Sequence, residues 1–292
     1  MSFSGIYSSL TTPFDHRGLL YPAKIRHNVS RLNQTTLRGF LSGGETGEGD
    51  LLTGDEKRRL WSEVAEAAAD DKELLAAVSS PGVAETFELA KAAAELGYKA
   101  VLAAAPLDRR TCGDAGKRRL LYFRAAADRS PLPLIVDAGD VGAAGALTPE
   151  EIARLTEHAN IVTVVCRGDE STVRRCAQAL REGFPLIVGS ERLLPALLGE
   201  VASAALLSMT NAVPFHYLSL EEALRTRETD AAEKLMGCAA VAIEVIDRLG
   251  VAGLKHAMDL YGYYGGPPRL PDEPIAETSK SEIETALYEL AS

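Results

Sequence analysis

The chain has 292 residues, and its 31 Lys and Arg against 41 Asp and Glu give a formal net charge of −10 at pH 7. Hydrophobic residues make up 46% and charged residues 25%, which is typical of a globular protein with a large core and excludes disorder for most of the chain. Because nucleic-acid binding needs clustered Lys and Arg, the acidic balance argues against a nucleic-acid partner. The length allows one large domain or two small ones.

The sequence also bears on location and on bound groups. No apolar run approaches the ~18 residues that span a bilayer, and the N-terminal residues lack the charged and apolar regions of a signal peptide. The four cysteines, none in a CxxC pair, are typical of reduced thiols rather than of a disulfide or zinc framework: Cys112, Cys166, Cys176 and Cys238. We therefore expect a soluble cytoplasmic protein with no membrane partner, no metal and no cofactor.

Eight short runs of strand-forming residues recur along the chain, and a helical pattern follows each. In chain order they are Ile6–Thr11, Gly39–Ser42, Leu74–Val78, Ala100–Ala104, Leu134–Asp137, Ile161–Cys166, Leu186–Val188 and Ala204–Met209. Several are continuously apolar rather than alternating, as expected for parallel strands that are covered on both faces.

The segments between the runs carry helix signals. Thr53 with Glu56 and Thr148 with Glu151 match the capping box, and Ser219 opens a long helical stretch that is expected to reach about Leu249. Eight alternations of strand and helix predict an α/β fold, a TIM (β/α)8 barrel, over residues 1–217. A C-terminal helical extension is expected over residues 218–292, packed on the barrel. A doubly wound sheet is the alternative architecture.

Three local patterns lie at the ends of predicted elements. Residues 10–15 read LTTPFD after the first strand, residues 43–48 read GGETGE after the second, and residues 265–269 read GGPPR near the C-terminus. Together they resemble the dihydrodipicolinate synthase / N-acetylneuraminate lyase family of pyruvate-handling class I aldolases, over essentially the whole chain. The resemblance implies a barrel with three extra helices and a homo-oligomer, either a dimer or a tetramer built from tight dimers.

The resemblance also implies Schiff-base chemistry, but this sequence lacks the lysine that performs it. In the family, a lysine that ends strand six forms a Schiff base with the keto group of pyruvate, and the iminium stabilises the adjacent carbanion. Here the stretch reads IVTVVC, and Val165 occupies the lysine position. Arg167 cannot replace the lysine, because a guanidinium is effectively never deprotonated. We expect a protein that is dihydrodipicolinate synthase-like by ancestry but without Schiff-base aldolase or synthase activity.

Other positions that the family uses are replaced as well. Asp137 stands where the relay tyrosine is expected, Glu45 replaces the first threonine of the loop, and Thr46 keeps the second, which binds a carboxylate. Asp108 stands at one position of the pair after strand four that is aromatic in the family. Gly142 stands where an arginine of the family receives a substrate carboxylate. The nucleophile, the relay and the carboxylate clamp are therefore lost together.

The replacements define a candidate site at the C-terminal mouth of the barrel, where TIM barrels bind their substrates. Its acidic residues predict repulsion of keto acids and affinity for a cation, an amine or a polyol. The catalytic candidates are Asp137 and Glu45, and the substrate-binding candidates are Gly44, Thr46, Asp108 and Arg167. For Arg167 we expect a salt bridge to Asp137 or Asp169 rather than an anion-anchoring role.

Three functions remain open at this point. The alternative without a function is that the acidic side chains are simply solvated in a vestigial cleft. The first is a non-catalytic relative that binds an unknown small molecule or partners an active paralogue. The second is a repurposed lyase, hydratase or epimerase in which Asp137 and Glu45 act as acid and base. The third is a lyase whose amine comes from elsewhere, for which Lys99 and Lys117 are the candidates.

Overall fold

The computed structural model describes residues 3–105, 114–141 and 146–291. Its eight strands follow one another in chain order around a closed parallel barrel. They are β1 (Gly5–Ser9), β2 (Gly39–Ser42), β3 (Glu73–Ala77), β4 (Ala100–Ala104), β5 (Leu134–Val141), β6 (Ile161–Gly168), β7 (Leu186–Val188) and β8 (Ala204–Leu207). The eight predicted strands and the predicted TIM barrel are confirmed.

Helices follow the strands in the predicted alternation, and three of them come after β8. They are α1 (Pro22–Leu32), α2 (Gly54–Ala67), α3 (Val83–Glu95), α4 (Ala115–Arg129), α5 (Pro149–Leu155), α6 (Glu170–Ala179), α7 (Leu194–Leu197), α8 (Pro214–Thr226), α9 (Thr229–Leu260) and α10 (Glu277–Ala291). Both predicted capping boxes are present, at Thr53 before α2 and at Thr148 before α5. No helix within the described ranges combines the length and hydrophobicity that a bilayer crossing requires.

The prediction of one long helix from Ser219 to about Leu249 is wrong. Helix α8 ends at Thr226, because Arg227 adopts the left-handed conformation with φ 60° and cannot continue the helix. Helix α9 then runs on to Leu260 and is kinked at Gly250, whose φ of 64° a glycine adopts without steric strain. The expected boundary between residues 217 and 218 falls inside α8, and the division into barrel and extension stays a prediction.

The chain divides into two compact units, the first of which comprises Met1–Gly5 and Leu74–Leu206. Its strands are almost wholly buried, which agrees with their continuous apolar sequence. Strands β5 and β6 extend beyond their predicted ends to Val141 and Gly168, with a register shift between Asp137 and Asp140. This longer pairing brings acidic residues of β5 beside the C-terminal half of β6.

The second unit comprises Ile6–Glu73 and Leu207–Ser292. In it β1 and β2 pair in parallel, and α1 packs on α2. Trp61 of α2 is fully buried and donates its indole N–H to the carbonyl of Ser42, 3.3 Å away, which attaches the helix to the end of β2. Helices α9 and α10 pack on each other in the same unit.

Candidate functional site

Val165, the residue that the resemblance aligns with the family's lysine, lies on β6. Alternate residues of a strand share a face, so Thr163, Val165 and Arg167 point the same way. Val165 is fully buried. A Cβ atom at Gly189, just after β7, would lie 2.9 Å from both Val165 Cγ1 and Arg167 Cγ, so these two side chains close against the backbone there. An alkyl group therefore fills the place that the resemblance assigns to an amine.

Arg167 forms ion pairs with two carboxylates of β5. Its Nη2 lies 3.1 Å from Asp137 Oδ1, and its Nε lies 3.3 Å from Asp140 Oδ1. The register of the two strands explains this, because Asp137 is paired with Val165 and Asp140 with Arg167. The predicted salt bridge between Arg167 and Asp137 is confirmed. Asp169, the alternative partner, instead caps α6 by accepting a hydrogen bond from the Thr172 N–H at 2.9 Å.

The carboxylate of Asp137 is held from several sides. It is nine-tenths buried, and its Oδ1 also accepts a hydrogen bond from the Gly139 N–H at 2.9 Å. Its Oδ2 accepts a longer one from Arg167 Nη1 at 3.4 Å. Asp137 Oδ1 therefore has two donors, whereas Oδ2 has only the longer contact and keeps a lone pair that a substrate proton could occupy. The carboxylate of Asp140 is 68% exposed, so its negative charge is accessible from solvent.

The loop after β2 contains the other predicted site residues, and it belongs to the second unit. Gly44 is buried, and its carbonyl accepts hydrogen bonds from the Gly47 and Gly49 N–H groups at 3.1 and 2.9 Å. Thr46 is half-buried, whereas Glu45 is exposed. A Cβ atom at Gly47 would lie 2.8 Å from the carbonyl oxygen of Leu10, so this position requires glycine. The loop is compact, and the side chain of Glu45 faces solvent.

The last residue of this loop, Glu48, forms a buried ion pair that no sequence pattern predicts. Lys255 of α9 is 1% exposed and donates from Nζ to the carboxylate of Glu48 and to the carbonyl of Pro267, the latter at 3.1 Å. The backbone N–H of Arg269 donates to Glu48 Oε1 at 2.6 Å. Burial lowers the pKa of Lys255, and the charge of Glu48 opposes that shift. The sequence signal was a lone lysine within an apolar part of α9.

Arg269 extends the same network to the start of α2. Its guanidinium pairs with the carboxylate of Glu56 and also donates to the carbonyls of Gly18 and Leu51, with distances of 2.7 and 2.9 Å. The hydrogen bonds from Arg269 lower the pKa of Glu56 to about 2. The ring of Phe14 lies 4.6 Å from the cationic groups of both Lys255 and Arg269. The GGPPR segment is thereby fixed to the loops that follow β1 and β2.

The positions of the lysines limit which amine could act as a nucleophile. All nine fall within the described ranges, and none lies on a strand: Lys24, Lys57, Lys72, Lys91, Lys99, Lys117, Lys234, Lys255 and Lys280. Lys99 immediately precedes β4, so it lies at the amino end of that strand, and Lys117 lies in the first turn of α4. Catalytic groups of TIM barrels come from the carboxyl ends of the strands. Neither candidate lysine occupies such a position.

Two predicted positions, Asp108 and Gly142, lie outside the described residues. Within the described ranges, no group of three or more His, Cys, Asp or Glu side chains is placed to hold a metal ion.

Comparisons with known proteins agree with this architecture. The sequence matches the Dihydrodipicolinate synthetase family over residues 2–290. It is 27% identical to a 4-hydroxy-tetrahydrodipicolinate synthase of Exiguobacterium sp., covering 98% of this chain and 97% of that protein, and 27% identical to an N-acetylneuraminate lyase of Rhizobium meliloti, covering 98% and 95%. The crystal structure of a dihydrodipicolinate synthase from Bacillus anthracis superposes with a TM-score of 0.89 at 23% identity, covering 99% and 98%, which shows a shared fold. The chain therefore belongs to the dihydrodipicolinate synthetase family.

Proposed function

We propose that this member of the family has lost Schiff-base chemistry and binds a small molecule at the carboxyl ends of β5 to β7. The observation that carries the proposal is the fully buried Val165 at the position where the resemblance places the lysine. A hydrocarbon side chain supplies neither a nucleophile nor an electron sink. The synthase and lyase names of the relatives then describe ancestry rather than the activity of this chain.

The ion-pair cluster supports the loss of the pyruvate reaction. Arg167 and Asp137 stand beside Val165, and the guanidinium that could have received a substrate carboxylate is already shared by Asp137 and Asp140. One cation against two anions leaves this cluster with a net charge of −1, which disfavours a keto acid by like-charge repulsion. A neutral polyol or an amine suits exposed carboxylate acceptors better.

The two catalytic alternatives have weaker support. An enzyme that uses Asp137 as its base would rely on a carboxylate that is nine-tenths buried and already paired with Arg167 and Gly139. Lys255 is a buried amine that a lyase with a substitute amine could use, but it is paired with Glu48. No observation favours either alternative over binding without turnover.

A thermal-shift titration tests the proposed binding site directly. A ligand that binds only the native state raises the melting temperature by mass action, so polyols and amines are expected to raise it at concentrations where pyruvate does not. Asp140→Asn is the informative variant, because Asp140 is exposed and the substitution removes the solvent-facing negative charge of the cluster without opening the core. A shift with pyruvate alone, or a polyol shift that Asp140→Asn leaves unchanged, would contradict the proposed site.

Turnover distinguishes binding from a repurposed enzyme. Any compound that raises the melting temperature is incubated with the protein and followed by NMR, and we expect it to remain unchanged. Conversion that Asp137→Asn abolishes would instead establish the carboxylate enzyme. We further propose a cytoplasmic homo-oligomer, which sedimentation velocity tests through a mass of two or four chains rather than one.

A further inference from the structure

The guanidinium of Arg167 has two edges that fit a carboxylate, and acids of β5 occupy both. Arginine presents its donors in a planar fork, so a carboxylate can bind across Nη1 and Nη2 or across Nε and Nη2. Asp137 lies across the first edge, with Nη2–Oδ1 and Nη1–Oδ2 distances of 3.1 and 3.4 Å. Asp140 lies at the second edge, with its Oδ1 3.3 Å from Nε. The places where Arg167 would receive a ligand carboxylate are therefore filled from within the chain.

The two acids hold these edges with different strength. Asp137 is nine-tenths buried and also accepts a hydrogen bond from the Gly139 N–H, so its contact with Arg167 is shielded from solvent. The side chain of Asp140 is 68% exposed and that of Arg167 is 26% exposed, so water reaches this second pair. An ion pair in contact with solvent contributes little to stability. Asp140 is therefore the acid that can be removed without disturbing the buried pair.

An irregularity in β5 brings Asp140 to Arg167. In a regular strand, residues three apart point to opposite faces, so Asp137 and Asp140 would not both reach one side chain. The register with β6 shifts between these two residues, and Gly139 between them has a φ of 72°, which favours glycine. Irregularities of this kind redirect side chains and are common beside active sites. The backbone thus directs the Asp140 carboxylate onto the guanidinium.

The position of Arg167 does not depend on Asp140. A Cβ atom at Gly189 would lie 2.9 Å from Arg167 Cγ and 3.5 Å from Cδ, so the aliphatic part of the side chain packs against that backbone. Beyond the ion pair, Val141 and Gly168 are still partners in the register of the two strands. Loss of the Asp140 carboxylate therefore uncovers a guanidinium edge that is already in place.

We propose that Asp140 determines which ligands this site accepts, because it occupies the edge of Arg167 that a ligand carboxylate needs. This role depends on the ligand site proposed above and sets the specificity of that site. In the wild type an incoming molecule meets the carboxylate of Asp140, which accepts hydrogen bonds from hydroxyl and ammonium groups. Without that carboxylate, Arg167 offers its Nε and Nη2 donors to a ligand carboxylate, and one cation then faces one anion.

Titration with pyruvate and with its neutral amide, pyruvamide, tests the proposal. Ligand-observed NMR at constant ionic strength measures the dissociation constants for the wild type and for Asp140→Ala. We expect Asp140→Ala to bind pyruvate at least about fivefold more tightly than the wild type, because the ligand no longer displaces an exposed ion pair. Pyruvamide, which carries no charge, should gain no affinity.

Two variants serve as matched controls. Glu157→Ala removes an exposed acid from the turn before β6, at the amino end of the strand, and should bind pyruvate as the wild type does. Asp140→Glu keeps a carboxylate and should also resemble the wild type. A second readout reports on the guanidinium itself. The Arg167 Nε–H resonance, assigned by its loss in Arg167→Lys, should shift when pyruvate is added to Asp140→Ala but not to the wild type.

Three results would overturn the proposal: equal pyruvate affinity in the wild type and Asp140→Ala, an equal gain in Glu157→Ala, or a gain without a shift of the Arg167 resonance. The proposed function is tested separately, through polyols and amines on the wild type. If these compounds do not bind while Asp140→Ala gains pyruvate, the role of Asp140 is supported and the proposed ligand class is contradicted.

Discussion

Replacement of Lys255 by methionine removes the cation of a fully buried ion pair. Methionine keeps an unbranched apolar chain as far as Cε, but the carboxylate of Glu48 then stays 2% exposed without its counter-ion. Removal of one member of a buried pair destabilises a protein by about 3–5 kcal/mol, because an uncompensated charge remains. At about 2 °C per kcal/mol for a chain of this size, the melting temperature should fall by at least ~6 °C.

The magnitude is measured by urea unfolding followed by circular dichroism, with a double-mutant cycle. Lys255→Met/Glu48→Leu should be less destabilised than the sum of the single variants, since it leaves neither charge buried. Lys280→Met is the matched control, because Lys280 pairs with a Glu277 that is 86% exposed, and its loss should amount to less than about 1 kcal/mol. A Lys255→Met loss that equals this control, or strict additivity in the cycle, would refute the reasoning.

Three further outcomes are expected. Arg167→Ala should destabilise the protein by about 1–3 kcal/mol in urea unfolding, because Asp137 loses its cation while nine-tenths buried; a loss no larger than that of Arg167→Ala/Asp137→Asn would contradict this. The pKa of Glu56 is lowered to about 2 in the folded state. The ionised Glu56 carboxylate therefore contributes fully to the free energy of unfolding above the ordinary pKa of 4.5, and this contribution is lost as the pH falls toward 2. This contribution is about 1 kcal/mol for a partly exposed pair, and Glu56→Gln should flatten the pH dependence of unfolding in that window. Val165→Lys should form a pyruvate adduct that borohydride traps and mass spectrometry detects. Val165→Lys/Asp137→Tyr should form more of it, because Asp137 stabilises the unreactive ammonium form of the new lysine. The absence of an adduct in both variants would remove support for the assignment of position 165.

The fold was predictable because its signals are local. Continuous apolar strands between capped helices, such as Thr53 before α2, specify the alternation that closes into a barrel. The break between α8 and α9 was not predictable, because Arg227 in the left-handed conformation carries no sequence signal of the kind that a glycine gives.

The candidate site was predictable only in part. The alternation along β6 places Val165 and Arg167 on one face, and the salt bridge of Arg167 with Asp137 follows from strand pairing. The second ion pair of Arg167, with Asp140, depends on a register shift within β5 that no sequence pattern predicts. The pair of Lys255 with Glu48 joins positions 207 residues apart in the chain, so only the tertiary structure reveals it.

Borohydride trapping tests the central claim most directly. The wild-type protein and the Exiguobacterium synthase, as the positive control, are incubated with pyruvate and sodium borohydride, digested and searched by mass spectrometry for reduced pyruvate adducts on lysine. Because the resemblance places Val165 where the nucleophile is expected and no lysine lies on a strand of the described structure, we predict no adduct on any of the nine lysines of this chain. A stoichiometric adduct on any one of them, under conditions that label the control, would contradict the account.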